Sequence, residues 1–349
     1  MSATTSVVRA LACVLMGTGF VAGASRTAAA DGAADFYKGK TIRVIVGFGP
    51  GGGYDLYART FARFMPKNMA GQPTVVVENM DGAGSVRATN YVYGVAPKDG
   101  TVLGATNQNM PMYQLLGGKE ARFDTAKFNW LGTQAWSNGL VYTWHTAGIK
   151  TLDDAKKREV TVGGVGISSD SFIYPTIINH LTGTKFKVIT GYKGSSEIHL
   201  ALERGEVEAR GGNSWASLAS SNPEWLKEGK VNLLVQVGLE KEAELPNVPL
   251  LLNLMTTDEG RQIARLVSLP IAVGYTIFAA PEVPADRVAA LRAAFDATMK
   301  DPEFLADAAK RQMLIKPRSG AEVAKLVASV KDTPPSVLKK TAEILGWSD

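Results

Sequence analysis

Residues 41–55 read Thr-Ile-Arg-Val-Ile-Val-Gly-Phe-Gly-Pro-Gly-Gly-Gly-Tyr-Asp and decide the fold class. Residues 41–46 are rich in β-branched side chains, which predicts a buried strand. The glycine-rich residues 47–53 predict a tight joint, and residues 55–65 predict a helix. A strand, a glycine-rich joint and a helix in succession indicate a parallel sheet covered by helices.

The same succession recurs along the chain. Glycine- and serine-rich joints at 82–85, 166–169, 191–196 and 211–214 follow four of the further strands, and the chain after residue 284 is mostly helical. Ser319 and Glu322 have the spacing of a capping box. The pattern predicts an α/β fold with parallel or mixed sheets flanked by helices. Further strands are predicted at residues 74–78, 102–106, 160–164, 186–190, 207–210 and 231–237.

The joints are candidate ligand contacts. In open parallel sheets, ligands bind beyond the carboxyl ends of the strands, where glycine allows close approach and helix N-termini favour an anion. Two groups of joints facing each other across a cleft would form such a site. Each joint alone is better explained as a turn or a helix cap, and it is the number of joints in two groups that favours a ligand site. The joint side chains able to bind a carboxylate without adding a positive charge are Ser85, Ser168, Ser169, Ser195, Asn213 and Ser214.

Length and composition limit the class of protein. The chain has 349 residues, of which 45% are hydrophobic, enough for two domains. Its formal charge of +5 is not gathered into blocks, so no nucleic-acid partner is expected.

Residues 1–30 have the pattern of a secretory signal, with Arg9 before an apolar stretch and small residues at 28–30. Cleavage after Ala30 predicts export to the periplasm. Cys13 is the only cysteine, which excludes an intrachain disulfide and a cysteine metal site; a lipid anchor on Cys13 is the alternative.

Three enzyme motifs fail on inspection. Residues 47–52 match G-x-G-x-x-G, but Pro50 removes a phosphate-binding N–H. Ser214 resembles a hydrolase nucleophile, yet all three histidines precede it, contrary to the chain order of that class. The histidines also lack metal-ligand spacing. We therefore expect no catalytic residues, no metal and no cofactor, and interpret the chain as a protein that is not an enzyme.

Residues 42–55 resemble the opening of the Bug solute-binding proteins of tripartite tricarboxylate transporters, with Phe48, Pro50, Gly51, Gly52 and Asp55 at the matching positions. Further stretches are similar to the family in the right order. They are Val75–Asn79 with Gly82–Ser85, Ala96–Thr101, Gly163–Ser169, Tyr192–Gly194, Leu245–Pro249 and Ala279–Pro284.

The resemblance implies a two-lobed periplasmic binding protein, similar to type II, with a central cleft. Lobe 1 would comprise residues 36–140 and 250–349, and lobe 2 residues 141–249. The ligand would be a small carboxylate, most simply a dicarboxylate, held in part by backbone N–H groups of the first two joints. Membrane permease subunits would be the partner, and the receptor a monomer. The implied ligand-binding residues are Phe48, Gly49, Gly51, Gly52, Asp55, Ala83, Gly84, Ser85, Asn107, Ser168, Ser169, Tyr192, Arg210 and Asn213.

Two departures from the family pattern bear on the ligand. Arg210 stands where many relatives carry an aspartate, and either pairs with a second carboxylate or is a surface arginine. Residues 163–169 also differ from the usual motif. Asp55 is explained equally by the helix dipole, and Trp136 and Tyr192 by lobe packing. Two other functions stay open: a periplasmic sensor or scavenger of an aromatic or neutral acid, and a nucleotide-dependent oxidoreductase.

Overall fold

The computed structural model describes residues 32–347, so the predicted signal segment lies outside the described residues. Two mixed sheets, of six and five strands, are flanked by helices. The predicted α/β fold is therefore confirmed. The strands are β1 (Thr41–Val46), β2 (Thr74–Asn79), β3 (Val102–Ala105), β4 (Asn129–Thr133), β5 (Gly139–Trp144), β6 (Val160–Gly164), β7 (Phe186–Thr190), β8 (Ala209–Ser214), β9 (Val231–Val237), β10 (Thr276–Ala279) and β11 (Arg318–Ser319).

The first sheet has the order β11-β4-β10-β3-β1-β2. Strand β1 pairs in parallel with β2 and β3, whereas β10 runs antiparallel to both β3 and β4. The carboxyl ends of β1, β2 and β3 therefore lie at one edge of the sheet, where the joints at 47–53 and 82–85 begin. We call this sheet and the helices on it the first lobe.

The second sheet has the order β7-β6-β8-β5-β9, with β6 parallel to both neighbours and β5 antiparallel to β8 and β9. One strand was predicted to end at Arg210, but β8 continues to Ser214. The extension of β8 follows from its pairing with β5, which has an irregular register. Leu140 lies opposite Asn213 and Tyr142 lies opposite Arg210. The residues 211–214 are thus strand rather than joint. This sheet and its helices form the second lobe.

Helices cover both sheets, and their ends carry the expected caps. Ser319 and Glu322 form the predicted capping box, and Thr151 with Asp154 forms another. The helices are α1 (32–37), α2 (Gly53–Phe64), α3 (Val86–Gly94), α4 (Met110–Leu115), α5 (Leu152–Lys157), α6 (Asp170–Thr182), α7 (Ser195–Glu203), α8 (Trp215–Ser221), α9 (Pro223–Lys227), α10 (Asp258–Ser268), α11 (Ala285–Thr298), α12 (Pro302–Lys310), α13 (Gly320–Ser329) and α14 (Pro335–Leu345).

The chain crosses between the sheets at residues 134–138 and 269–275, and the two crossings are hydrogen-bonded to each other. Tyr275 N–H donates to the Ala135 carbonyl at 2.9 Å, and Gln134 N–H donates to the Tyr275 carbonyl at 3.0 Å. Gly274 has φ +60°, and a β-carbon there would lie 2.2 Å from the Ala135 carbonyl oxygen. Only glycine fits this position, because the two crossings approach so closely.

Two helices from the last quarter of the chain pack away from the first sheet. Helix α10 contacts α6 and β9, and α14 contacts α6 and α10. After α14, the Trp347 ring meets the Tyr113 ring of α4 edge to face at 5.0 Å, so the C-terminal end touches both lobes. Within residues 32–347, none of the helices combines the length and apolar character needed to cross a membrane.

Candidate functional site

The glycine-rich joints of the two lobes meet face to face. The Gly49 N–H donates to the Lys193 carbonyl at 2.8 Å, so the joint after β1 lies directly against the joint after β7. The Ser168 hydroxyl donates to the Ala83 carbonyl at 2.7 Å, which brings the joint after β6 against the joint after β2. These bonds join lobes that are far apart in sequence, and the cleft between them is closed.

The joint after β2 has an unusual backbone. Gly82, Ala83, Gly84 and Ser85 have φ of 136°, 45°, 61° and 86°, all in the left-handed region. Left-handed conformations at non-glycine residues cost of order 1–3 kcal/mol each and collect at functional sites. The Ser85 hydroxyl donates to the Gly47 carbonyl at 3.0 Å, which ties this joint to the joint after β1.

A cavity of about 50 Å³ lies between the joints and the two crossings. Helices α2, α6 and α7 begin at its wall, so three positive dipole ends point toward it. Hydroxyl groups dominate the second-lobe side. These belong to Ser169, Ser171, Ser195, Ser214 and Ser217. Such a wall offers many hydrogen bonds and suits a small polar ligand.

Arg210 is the cation of this cavity. It lies in β8, the central strand of the second sheet, and its side chain is buried on the cavity wall. Its Nη2 donates to the Ser195 hydroxyl at 2.9 Å. Within residues 32–347, its Nε has no hydrogen-bond partner and no carboxylate oxygen lies within 4.0 Å of the guanidinium.

The guanidinium remains charged in this setting. Burial lowers the pKa of Arg210, but an arginine stays cationic at physiological pH. A buried cation that contacts no counter-charge is costly. Arg210 on the cavity wall therefore lacks a counter-charge, which an anion in the cavity would supply.

A neutral network lies behind Arg210. Asn213 Nδ2 donates to the Tyr142 hydroxyl at 3.2 Å, which leaves that hydroxyl to donate to His199 Nε2 at 3.2 Å. Burial, and then the nearby Arg210, hold the pKa of His199 well below its ordinary value. His199 is therefore uncharged, and the network adds no second cation to the cavity.

Asp170 is the other charged residue of the cavity wall and the first residue of α6. It accepts hydrogen bonds from the first lobe, from Gln108 Nε2 at 3.0 Å and Asn109 Nδ2 at 2.5 Å. Both donors are neutral amides. Burial raises the pKa of Asp170 to about 6, because the amides and the more distant Arg210 offset only part of the lost hydration.

Asp55 serves the joint rather than the cavity. Its Oδ2 accepts from the Gly51 N–H at 2.9 Å, and its carboxylate forms an ion pair with Arg59 at 2.9 Å. Asn79 Nδ2 donates to it as well. Burial raises the pKa of Asp55, but these three sets of hydrogen bonds outweigh it and leave the pKa below the ordinary value. Asp55 is thus a fixed anion that holds the start of α2.

Of the ligand-binding residues named from the sequence, six line the cavity and the others lie elsewhere in the structure. Tyr192 packs on the core of the second lobe. Gly49, Gly51, Ala83, Gly84 and Ser168 lie at the contact between the lobes, beside the cavity and not on its wall. Asp55 and Ser85 are buried supports of the joints. The residues that do line the cavity are Phe48, Gly52, Asn107, Ser169, Arg210 and Asn213.

Several cavity residues were not among the residues named from the sequence. In the sequence, Asp170 cannot be distinguished from an ordinary carboxylate in the first turn of a helix. Gln108 follows a predicted strand but belongs to no motif. Tyr275 comes from the second crossing; its hydroxyl lies 2.5 Å from the Ser214 hydroxyl, and its ring stacks on Tyr57 at 4.2 Å. The run of polar residues after the predicted strand 102–106 was the one available signal, and among the missed residues it applies to Gln108 alone.

Trp136, in the first crossing, carries two cations over its ring. Lys316 Nζ lies 3.2 Å and the Arg318 guanidinium carbon 4.0 Å from the ring centroid. Trp136 lines the cavity, and Lys316 is exposed. In the described part of the chain, neither cation has a carboxylate within 4.0 Å. Two positive charges therefore lie beside the cavity at Trp136.

Comparison with known proteins agrees with this architecture. The family model described as tripartite tricarboxylate transporter family receptor, TctC, matches residues 57–342. The "UPF0065 protein in gbd 5'region" of Cupriavidus necator is 30% identical over 236 residues, which cover 64% of this chain and 67% of that protein.

Solved structures show the same fold. The periplasmic binding protein BugD superposes with a TM-score of 0.69 at 20% identity, covering 88% of this chain and 99% of that chain. MatC from Rhodopseudomonas palustris with bound malate superposes with a TM-score of 0.67 at 21% identity, and the match covers 88% of this chain and 99% of that chain. Another R. palustris protein, with adipate, superposes with a TM-score of 0.67 at 18% identity, and the match covers 88% of this chain and 97% of that chain.

The resemblance to the Bug proteins, found in the ordered motifs from Ile42 to Pro284, is thereby confirmed, as is the periplasmic-binding-protein fold. The chain belongs to the receptor family of the tripartite tricarboxylate transporters.

Proposed function

We propose that this protein is an extracytoplasmic receptor that captures a small dicarboxylate and delivers it to the membrane permease subunits of a tripartite tricarboxylate transporter. Its place of action is the periplasm. The family match and the carboxylates bound to two structural relatives, malate and adipate, support the class of ligand. Because the cavity wall offers binding groups and no nucleophile–base pair is apparent in the described cavity, we infer binding rather than catalysis.

One observation carries the proposal: Arg210 is buried on the cavity wall, its Nε is unpaired, and no carboxylate of residues 32–347 lies within 4.0 Å of its guanidinium. A carboxylate placed there gains a charge-assisted hydrogen bond and neutralises a buried cation. The start of α7 and the Ser195 hydroxyl add donors on the same side. Arg210 thus takes one carboxylate of the ligand.

We propose that the lobes open about the crossings at 134–138 and 269–275, with residues 250–268 moving with the second lobe. The contacts of α10 with α6 and β9 support this division, which differs in that segment from the boundaries of 36–140 with 250–349 and 141–249 expected from the sequence. The direct contacts between Gly49 and Lys193 and between Ser168 and Ala83 belong to the closed state. The open and closed states must differ by only a few kcal/mol for a ligand to select between them.

A thermal-shift and calorimetric panel tests the function. Protein expressed from the full chain is titrated with C4 to C8 dicarboxylates, citrate, aromatic acids, neutral amino acids and NAD(P)H. At a hundredfold excess over Kd a ligand adds about 2.7 kcal/mol of stability, which a melting curve resolves. We expect dicarboxylates to stabilise the protein. Stabilisation by aromatic or neutral acids alone supports the sensor or scavenger, and stabilisation by NAD(P)H alone supports the oxidoreductase; either contradicts the proposal.

A further inference from the structure

The cavity wall contains one residue of each formal charge, Arg210 and Asp170. The two are not in contact: no ion pair within 4.0 Å joins them. The remaining titratable groups facing Asp170 are the phenols of Tyr54, Tyr174 and Tyr275, and burial raises the pKa of all three. They stay neutral at physiological pH. The charges of the lining residues therefore cancel when Asp170 is ionised, whereas the cations Lys316 and Arg318 lie on the Trp136 ring and do not themselves line the cavity.

This charge balance is unfavourable for a dianion. A ligand with two carboxylates would bring the anionic groups in the closed cavity to three against the single cation of its wall, a net charge of −2. Enclosing unpaired charge costs several kcal/mol per ion. Two carboxylates placed close together in such a site cannot both remain ionised, and one proton shared between them relieves the repulsion.

We propose, on the basis of the dicarboxylate function proposed above, that the ligand binds with one carboxylate on Arg210 and its second carboxyl group beside Asp170, and that these two carboxyl groups share one proton taken up from solvent. The only bond formed is the O–H bond of that proton. Asp170 is then a specificity-determining residue, because it makes the site accept a dianion only together with a proton.

The position of Asp170 supports this role. Gln108 and Asn109 hold its two oxygens from the opposite lobe, so closure fixes the carboxyl group on the cavity wall. The neutral amides satisfy the oxygens without supplying a positive charge. The pKa of Asp170, already raised to about 6 by burial, needs only a moderate further rise for the group to be protonated at neutral pH.

The rival arrangement is an ammonium group of the ligand beside an ionised Asp170, as an amino acid would provide. The two arrangements predict opposite pH dependences. A dicarboxylate that brings a proton binds more tightly as the pH falls, whereas an ammonium ligand binds more weakly once Asp170 is protonated.

The test is calorimetric titration of protein expressed from the full chain with succinate, L-malate, adipate and L-aspartate. Each titration is run in two buffers of different ionisation enthalpy at pH 7, and affinities are compared above about pH 6.5, where the free dicarboxylates are dianions. We expect uptake of more than half a proton per dicarboxylate at pH 7. We also expect the Kd to fall several-fold per unit of pH decrease.

Asp170→Asn should abolish the proton uptake and bind the dicarboxylate independently of pH, more tightly than wild type at pH 8. Asp153→Asn is the matched control, because it removes one exposed carboxylate on α5. It should leave both the proton uptake and the affinity for the dicarboxylate unchanged.

Dicarboxylate binding by the wild type without proton uptake overturns this inference and leaves the proposed function standing. Preferred binding of L-aspartate that weakens on acidification also overturns it, in favour of the ammonium arrangement. Absence of binding by all three dicarboxylates contradicts the proposed function itself. The wild-type buffer comparison needs no variant, so the test survives even if Asp170→Asn fails to fold.

Discussion

Gly166 of the second lobe packs directly on Gly84 of the first: a β-carbon at Gly166 would lie 2.7 Å from the Gly84 backbone nitrogen. Because φ at Gly166 lies outside the left-handed region, a side chain there strains only the closed state. Gly84 is less suitable for substitution, since its own φ of +61° makes any side chain unfavourable even when the cleft is open.

Gly166→Ala should therefore weaken ligand binding through closure alone. We expect the Kd to rise by about tenfold or more, as a closure penalty of about 1.4 kcal/mol would produce, with an unchanged melting temperature of the unliganded protein. Small-angle scattering with ligand should show incomplete compaction. Gly94→Ala, where a β-carbon meets nothing within 4 Å, is the control. Wild-type affinity in Gly166→Ala would contradict the closed arrangement of these joints.

Arg210→Met should separate binding from folding. Removing the partner of a buried carboxylate costs about 3–5 kcal/mol, so the Kd for a dicarboxylate should rise by at least about two orders of magnitude. The melting temperature without ligand should stay the same or increase, because an unpaired buried cation is removed. Arg158→Met, at an exposed arginine paired with Glu208, is the control and should leave affinity unchanged. A lower melting temperature with unaltered affinity would assign Arg210 a purely structural role.

The cations on Trp136 should speed ligand capture. Lys316→Glu reverses one charge beside the cavity, so the association rate for a dicarboxylate should fall several-fold at low ionic strength. Added salt should shrink that difference, since screening removes the attraction. Lys339→Glu, an exposed lysine on α14, makes the same change of charge away from the cavity wall. Equal association rates for the two variants in stopped-flow measurements would contradict a role of Lys316 in ligand capture.

Closure of the cleft should itself depend on pH. In the closed state burial raises the pKa of Asp170 to about 6, and water in an open cleft should return it toward the ordinary value of 3.8. Closing then binds a proton between these values. The closed fraction of the unliganded protein should thus rise as the pH falls from 7 to 5, by about 1.3 kcal/mol of closure free energy.

Scattering or single-molecule distance measurements at both pH values can follow this change. Asp170→Asn should show a closed fraction that does not vary. An open state that becomes more populated on acidification would refute the assignment.

Four parallel strands follow directly from the sequence, because β1, β2, β6 and β7 are rich in β-branched residues and a glycine-containing joint follows each of them. Strands β4, β5 and β10 were not predicted. Strand β4 contains Trp130 and Gly132 without clear alternation, and β10 is only four residues long. Their pairing depends on neighbours from distant parts of the chain, which no local pattern reveals.

The site was less predictable than the fold. Arg210 was recognised as a departure, but its burial depends on β8 continuing past it to pair with β5. Asp170 contacts Gln108 and Asn109, which lie 62 and 61 positions earlier. From the sequence alone, Asp170 cannot be distinguished from a carboxylate that stabilises a helix dipole, because its partners come from the other lobe. The glycine joints, by contrast, were visible because glycine is required wherever two backbones approach closely.

The most direct measurement is a structure of the protein in complex with the dicarboxylate that stabilises it most. We expect a closed cleft with one carboxylate oxygen about 3 Å from a guanidinium nitrogen of Arg210 and the second carboxyl group beside Asp170. A ligand whose carboxylates lie on the joints at 47–53 and 82–85, with no contact to Arg210, would contradict it.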